Sequence, residues 1–226
     1  MAEISGGYGH ALAQAGRGDE SQPNFDEALS LARELKNQAL IAQTLDFQGD
    51  SFFYSGDLRS ARRLYEQAAQ VAAHSNDRHA VLLANLNLFK VAVKEGAPKN
   101  AVAGLKALAQ ETDGLGLKYL SLEASLYMAQ AELALKDYSR VRQDLERTLA
   151  RSDKLGSRTL SAEIHYLLGT TLRLSGDQKG AELHYKASVR LLEDVRKEAG
   201  AEKILQRSDL NSIYNEANRW STSSKA

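Results

Sequence analysis

A small residue followed four positions later by a large one recurs every 40 positions along this chain. The small column reads Ser21, Ala61, Ala101, Val141, Ala181, and the large column reads Phe25, Tyr65, Leu105, Leu145, Tyr185. A third column, Ala28, Ala68, Leu108, Thr148, Ser188, keeps the same register. Two further columns lie upstream in each unit: Gly9, Gly49, Phe89, Ala129, Gly169, and then Leu12, Phe52, Ala92, Glu132, Leu172. Repetition at a fixed period of 20–50 residues means one supersecondary unit stacked on copies of itself, because a single unit cannot bury its own apolar face.

The unit itself is helical. Leu58, Ala61, Leu64, Tyr65, Ala68 and Val71 fall on one stripe of a 3.6-residue period, as do Ile164, Leu167, Leu168 and Leu172. No stretch alternates apolar and polar residues as a half-buried strand would. Turns are expected at Gly16 to Asp19, Ser55 to Asp57, Gly96 to Pro98, Lys136-Asp137 and Ser175 to Asp177. An Asp at the second turn position can cap the following helix through its exposed amides. Second turns join the units at Lys36-Asn37, Ser75 to Asp77, Asp113 to Gly116, Asp153 to Gly156 and Glu198 to Gly200. Each unit therefore reads as helix A, turn, helix B. Five units are expected at about 2–41, 42–81, 82–121, 122–161 and 162–200. A C-terminal capping helix is expected over 201–220, from the pattern Ile204, Leu205, Leu210, Ile213, Tyr214, Ala217, with a frayed tail at 221–226.

The small–large–small spacing in helix B, with a glycine in helix A and another at the turn, resembles the tetratricopeptide repeat. The common form of that repeat has a period of about 34 residues; the 40-residue period here is similar to the long-helix variety. Leu168-Gly169 matches the Leu-Gly signature of that variety fully, and Gln48-Gly49-Asp50 matches it in part. The aromatic residue that the family places early in helix A is absent: Leu45, Asn85, Ser125 and His165 stand there. The resemblance spans roughly residues 2–195 and implies an all-α, right-handed α-solenoid. It also implies that helix A lines a concave face where a protein segment is held.

Composition narrows the chemistry. Among 226 residues, Lys+Arg and Asp+Glu both number 29, so the net charge is zero and no basic excess exists to neutralise nucleic-acid phosphates. There is no cysteine, which removes disulfides, thiolate metal sites and cysteine nucleophiles and suits a reducing cytoplasm. No apolar run approaches the roughly 20 residues that span a bilayer. The five histidines, His10, His74, His79, His165 and His184, form no metal-binding spacing. Gly6-Gly7-Tyr8-Gly9 lacks the strand and glycine order of a phosphate loop. Neither a catalytic residue nor a cofactor or metal site is expected, and the chain reads as a non-enzyme.

The candidate site is the projecting face of helix A. Asp46, Asp50, Tyr54, Asn87, Lys90, Lys94, Tyr127, Gln130, Tyr166 and Arg173 recur at spacings of three, four and seven, so within each helix they can share one side. The expected function is a protein–protein interaction scaffold that holds a partner's peptide or helix there. The alternative is a regulatory or sensor segment of a larger kinase or transcription regulator, acting by intramolecular packing or as a homodimer. The short run-in before the first signature predicts a fragment cut from a larger protein.

Overall fold

In a computed structural model, residues 1–75 and 77–222 are described. Residue 76, in the turn expected at Ser75 to Asp77, and residues 223–226, in the tail expected to fray, lie outside the described residues. Every regular element among the described residues is helical. In chain order they are α1 (Ala2–Gln14), α2 (Gly18–Glu34), α3 (Gln38–Ser55), α4 (Leu58–Ala72), α5 (Arg78–Lys94), α6 (Pro98–Gly114), α7 (Lys118–Ala134), α8 (Tyr138–Leu155), α9 (Arg158–Leu174), α10 (Gln178–Arg196) and α11 (Ser208–Thr222). A 3₁₀ turn covers Ile204–Gln206. The chain is an all-α solenoid of helical hairpins, with the odd-numbered helices as helix A and the even-numbered ones as helix B through α10.

The 40-residue register is written in the backbone. Residues Gly16, Gly56, Gly96, Lys136 and Gly176 all have φ between 69° and 95°. After α3, Gly56 N–H reaches the carbonyl of Phe53 at 3.1 Å and Asp57 N–H that of Phe52 at 2.9 Å. These are the two bonds of a helix end closed by a left-handed residue. The next helix then starts on a side-chain cap. Asp57 accepts from Ser60 N, Asp137 from Arg140 N and Asp177 from Gly180 N, while Asn37 and Asp77 cap α3 and α5.

Two compact units divide the residues. The first comprises Met1–Glu95 together with Lys203–Asp209; the second comprises Gly96–Glu202 and the residues from Leu210 onward. In the first, α1 through α5 pack in sequence, and α1 also touches α3, which touches α5. Leu29, Leu45, Leu64, Ala68 and Ala84 form one core there. In the second, α6 through α10 pack in sequence and α7 also touches α9. Leu122, Leu126, Val141, Leu145, Leu160, Ile164 and Leu168 make its main core. Ala217 of α11 closes a further cluster with Leu172, Ala181 and Tyr185.

Helix A is thus sandwiched, and helix B is not. Helix α3 buries residues on all sides, from Leu40 to Phe53, whereas α4 buries only Ala61, Leu64, Tyr65, Ala68 and Ala72. The C-terminal region also departs from a continuous helix beginning at 201. Gly200 has a φ of 86°, the chain makes one 3₁₀ turn, and Arg207 is extended before α11 starts at Ser208. No helix among the described residues is long and apolar enough to cross a membrane.

Candidate functional site

In the first unit, one repeat position carries His10, Asp50 and Lys90 on α1, α3 and α5. Asp50 is buried and accepts two hydrogen bonds, from His10 Nε2 at 3.1 Å and from Tyr65 Oη at 2.7 Å. A carboxylate can only accept, so the Nε2 of His10 carries the proton. Burial acts to raise the pKa of Asp50. The His10 hydrogen bond and the positive charge of Lys90 outweigh it and hold the carboxyl below its ordinary value. His10 stacks on Phe47 with ring centroids 4.0 Å apart, and Lys90 Nζ lies 5.2 Å from the Phe53 ring centroid.

Asp46, one turn before Asp50, behaves differently. It is 0 % exposed, and its Oδ1 accepts from Asn87 Nδ2 at 3.2 Å. Burial and then the neighbouring Asp50 charge push its pKa well above the ordinary carboxylate value. The pair holds two buried acceptors without a donor, Asp46 Oδ2 and Asn87 Oδ1. A proton on Asp46 Oδ2 would supply the donor the pair lacks, and the raised pKa favours that neutral form. Asp46 also lines a polar cavity of about 250 Å³ with Gln43, Asn37, Asp77 and His79.

The expectation of an exposed helix-A face is corrected here. Asp46, Asp50, Asn87, Lys90 and Tyr127 are at most 7 % exposed. Because helix A is packed on both sides, the polar positions that seemed to project are interior: Asp46 pairs with Asn87, and Asp50 with His10 and Tyr65. Lys94 is exposed at the end of α5, and Gln130 is half-buried on α7.

The three remaining candidates meet the C-terminal part of their own chain. In the first unit, the guanidinium of Arg207 lies 3.8 Å from the Tyr54 ring centroid. In the second, Tyr166 Oη donates to Glu216 at 2.5 Å, and the Arg173 guanidinium lies 4.3 Å from the Trp220 ring centroid. Burial, followed by the Glu216 contact, raises the pKa of the Tyr166 phenol. Arg173 also donates to Tyr185 Oη, which meets Thr170 at 3.1 Å. The turn glycines that receive the C-terminal segment were not singled out as site residues, and the only sequence signal for them was their place in the turn column.

The second unit also contains a histidine pair. His165 and His184 face each other with Nδ1 atoms 2.9 Å apart, one donating and the other accepting. Burial and the neighbouring His184 push His165 down to about 4, and burial lowers His184 as well. Among the described residues, no group of three or more histidine and carboxylate side chains is arranged to hold a metal ion.

Residues 1–73 match the family described as Tetratricopeptide repeat. No curated protein sequence matches the chain. Among solved structures, it is similar to a Rap protein complexed with competence and sporulation factor, at 12 % identity and a TM-score of 0.65, over 99 % of this chain and 73 % of that one. It is similar also to a signal-transduction ATPase with numerous domains carrying a tetratricopeptide repeat sensor, from Pyrococcus horikoshii. There the identity is 11 % and the TM-score 0.62, over 99 % of this chain but only 37 % of the other. A third likeness is to BtubC from P. vanneervenii, at 14 % identity and a TM-score of 0.59, over 96 % of this chain and 92 % of that one. At such identities the likenesses establish the fold alone.

Proposed function

From the premise that the chain is a tetratricopeptide-repeat solenoid, we propose that it is a protein-interaction scaffold whose helix-A faces hold a segment of another protein. One observation carries this reading. Tyr54 in the first unit, and Tyr166 and Arg173 in the second, already engage polypeptide from outside their own repeat through stacked and hydrogen-bonded contacts. Aromatic and arginine side chains of this kind combine large contact area with a polar handle, which is what protein recognition uses most. The similar Rap protein was solved with a bound factor, which supports a protein or peptide partner. The zero net charge supports neither nucleic acid nor an anionic membrane as the partner. A cytoplasmic setting fits the absence of cysteine.

Contacts with the chain's own C-terminal residues also support the second reading, a regulatory or sensor segment that works by intramolecular packing. The two are separated by photo-cross-linking in the host cell, with the cross-linker placed in turn at positions 94 and 130 on helix A and 66 and 179 on helix B. The scaffold reading expects one protein partner captured from the helix-A positions. Capture from the helix-B positions alone, or of a second copy of the chain alone, overturns it.

A further inference from the structure

The segment Lys203–Asp209 lies more than 100 residues beyond Glu95, yet it packs within the first unit, against the turns that end α1 and α3. Its seat is made by two glycines at one repeat position. A Cβ on Gly16 would lie 2.0 Å from the carbonyl oxygen of Lys203, so backbone rests on backbone there. A Cβ on Gly56 would lie 3.0 Å from Ser208 Oγ. Two side chains of the segment are buried, and a third, Lys203, makes an ion pair from an exposed position. Lys203 Nζ reaches Glu20 at 3.2 Å. Ile204 is 4 % exposed. Arg207 is 8 % exposed, stacked on Tyr54 and held flat by a two-point bond to Asp209, at 3.1 and 2.6 Å. Beside Arg207 a cavity of about 120 Å³ remains, lined by Asp19, Ser51, Tyr54 and Gln206.

A segment that merely continued the solenoid would present an apolar helical stripe. This one presents a single turn of 3₁₀ helix and two cations, one of them an extended arginine, each met by a particular partner. Such a seat reads sequence: a lysine opposite Glu20, an aliphatic residue next to it, and an arginine four positions beyond the lysine, over Tyr54. Arginine is favoured over lysine at the last place because its planar face stacks on the ring.

We propose that the Gly16–Glu20–Tyr54 surface is a peptide-binding site for a Lys-aliphatic-x-x-Arg segment, occupied in cis by Lys203–Asp209, and that a partner presenting the same pattern exchanges with that segment. This rests on the scaffold reading and names both its partner chemistry and its regulation. A tethered segment competes at an effective concentration on the order of millimolar, so a free peptide meets a nearly closed site until the tether is loosened. The unfilled volume beside Arg207 gives a partner room for contacts that the chain's own segment does not make.

The test is fluorescence anisotropy with a labelled peptide of residues 201–210, at low salt. Its targets are the wild-type chain and two full-length variants that expel the segment by different means. Lys203→Ser combined with Ile204→Ser and Arg207→Ser removes the anchors. Lys203→Glu combined with Arg207→Glu reverses both charges, setting one carboxylate against Glu20 and the other against Asp209. Circular dichroism and the melting transition establish that each variant is folded. Both folded variants are expected to bind the peptide at least about tenfold more tightly than the wild type. Adding Tyr54→Ala, or replacing the peptide's arginine by glutamate, is expected to abolish that binding. Equal affinity for wild type and folded variants, or no binding to either variant, overturns the proposal. Hydrogen exchange keeps it falsifiable where a variant unfolds: in the wild type, millimolar peptide is expected to leave protection at residues 13–19 intact while raising exchange in 203–207. Unchanged exchange in 203–207 overturns the proposal. Because the cross-linking experiment uses positions outside this surface, its failure and the failure of the peptide experiment are separate results.

Discussion

A Cβ built on Gly49 would stand 2.6 Å from Cε1 of Tyr65, inside the distance at which real carbon atoms pack. Helix A and helix B of the second repeat touch because one offers no side chain and the other fills the gap with a ring. The first and fifth repeats do the same. A Cβ on Gly9 would be 2.9 Å from Phe25, and one on Gly169 would be 2.8 Å from Tyr185. Where helix B carries Leu105 or Leu145 instead, helix A carries Phe89 or Ala129.

Gly49→Ala is expected to destabilise the chain by about 1–3 kcal/mol, the cost of overpacking a filled core. Tyr65→Leu alone loses the hydrogen bond to Asp50. Combined, the two should cost less than their sum, because the leucine leaves room for the methyl group. A double-mutant cycle by urea denaturation reads that coupling directly, and strict additivity would show that the ring and the glycine do not constrain each other.

Lys136 occupies the turn position that glycine holds in the other four repeats, with φ at 69°. A side chain in that region costs about 1–2 kcal/mol, part of which glycine returns through its freer unfolded chain. Lys136→Gly should therefore raise stability by about 1 kcal/mol or less. Gly176→Ala, at the equivalent turn, should lower it. Denaturant midpoints at constant slope check both.

The raised pKa of Asp46 makes stability depend on pH. Its folded pKa is raised by burial, so its contribution is fully present below the unfolded carboxylate value of about 3.9 and is lost as pH rises through the folded value. Asp50 has the opposite sign, with its contribution lost as pH falls. Asp46→Asn keeps the pairing with Asn87 without needing a proton. It should match the wild type below about pH 4 and gain on it as pH rises, because the amide supplies the donor without a proton. Asp50→Asn should be destabilising at neutral pH. Melting curves across that range decide the matter. The same burial makes Asn87→Ala with Lys90→Ala a test of folding and not of partner binding.

His165 should titrate with a midpoint of about 4 in proton NMR, against about 6.5 for an exposed imidazole. A depressed folded value means that its contribution is present above the unfolded value and is lost as pH falls toward 4. Its dominant cause is burial, so His184→Leu should return the midpoint only part of the way. His165→Phe, which restores the aromatic residue of the family pattern, should flatten the stability profile between pH 6.5 and 4. A His165 midpoint near 6.5 would contradict the buried pair.

The repeat, its helical hairpins and their turns were legible in the sequence because they are set locally. A 3.6-residue stripe, a glycine at a left-handed turn and an aspartate cap act within a few residues of themselves, and Ser21, Ala61, Ala101, Val141 and Ala181 repeat that choice five times. Which polar residues face a partner was decided only by tertiary packing. Asp46, Asp50, Asn87 and Lys90 have the spacing of an exposed face, but helix A lies between neighbours, so the same spacing places them in a buried network. The seat for Arg207 depends on bringing residues 16, 54 and 207 together. No periodicity encodes such a meeting, because it is fixed by where residues 203–209 pack within the first unit.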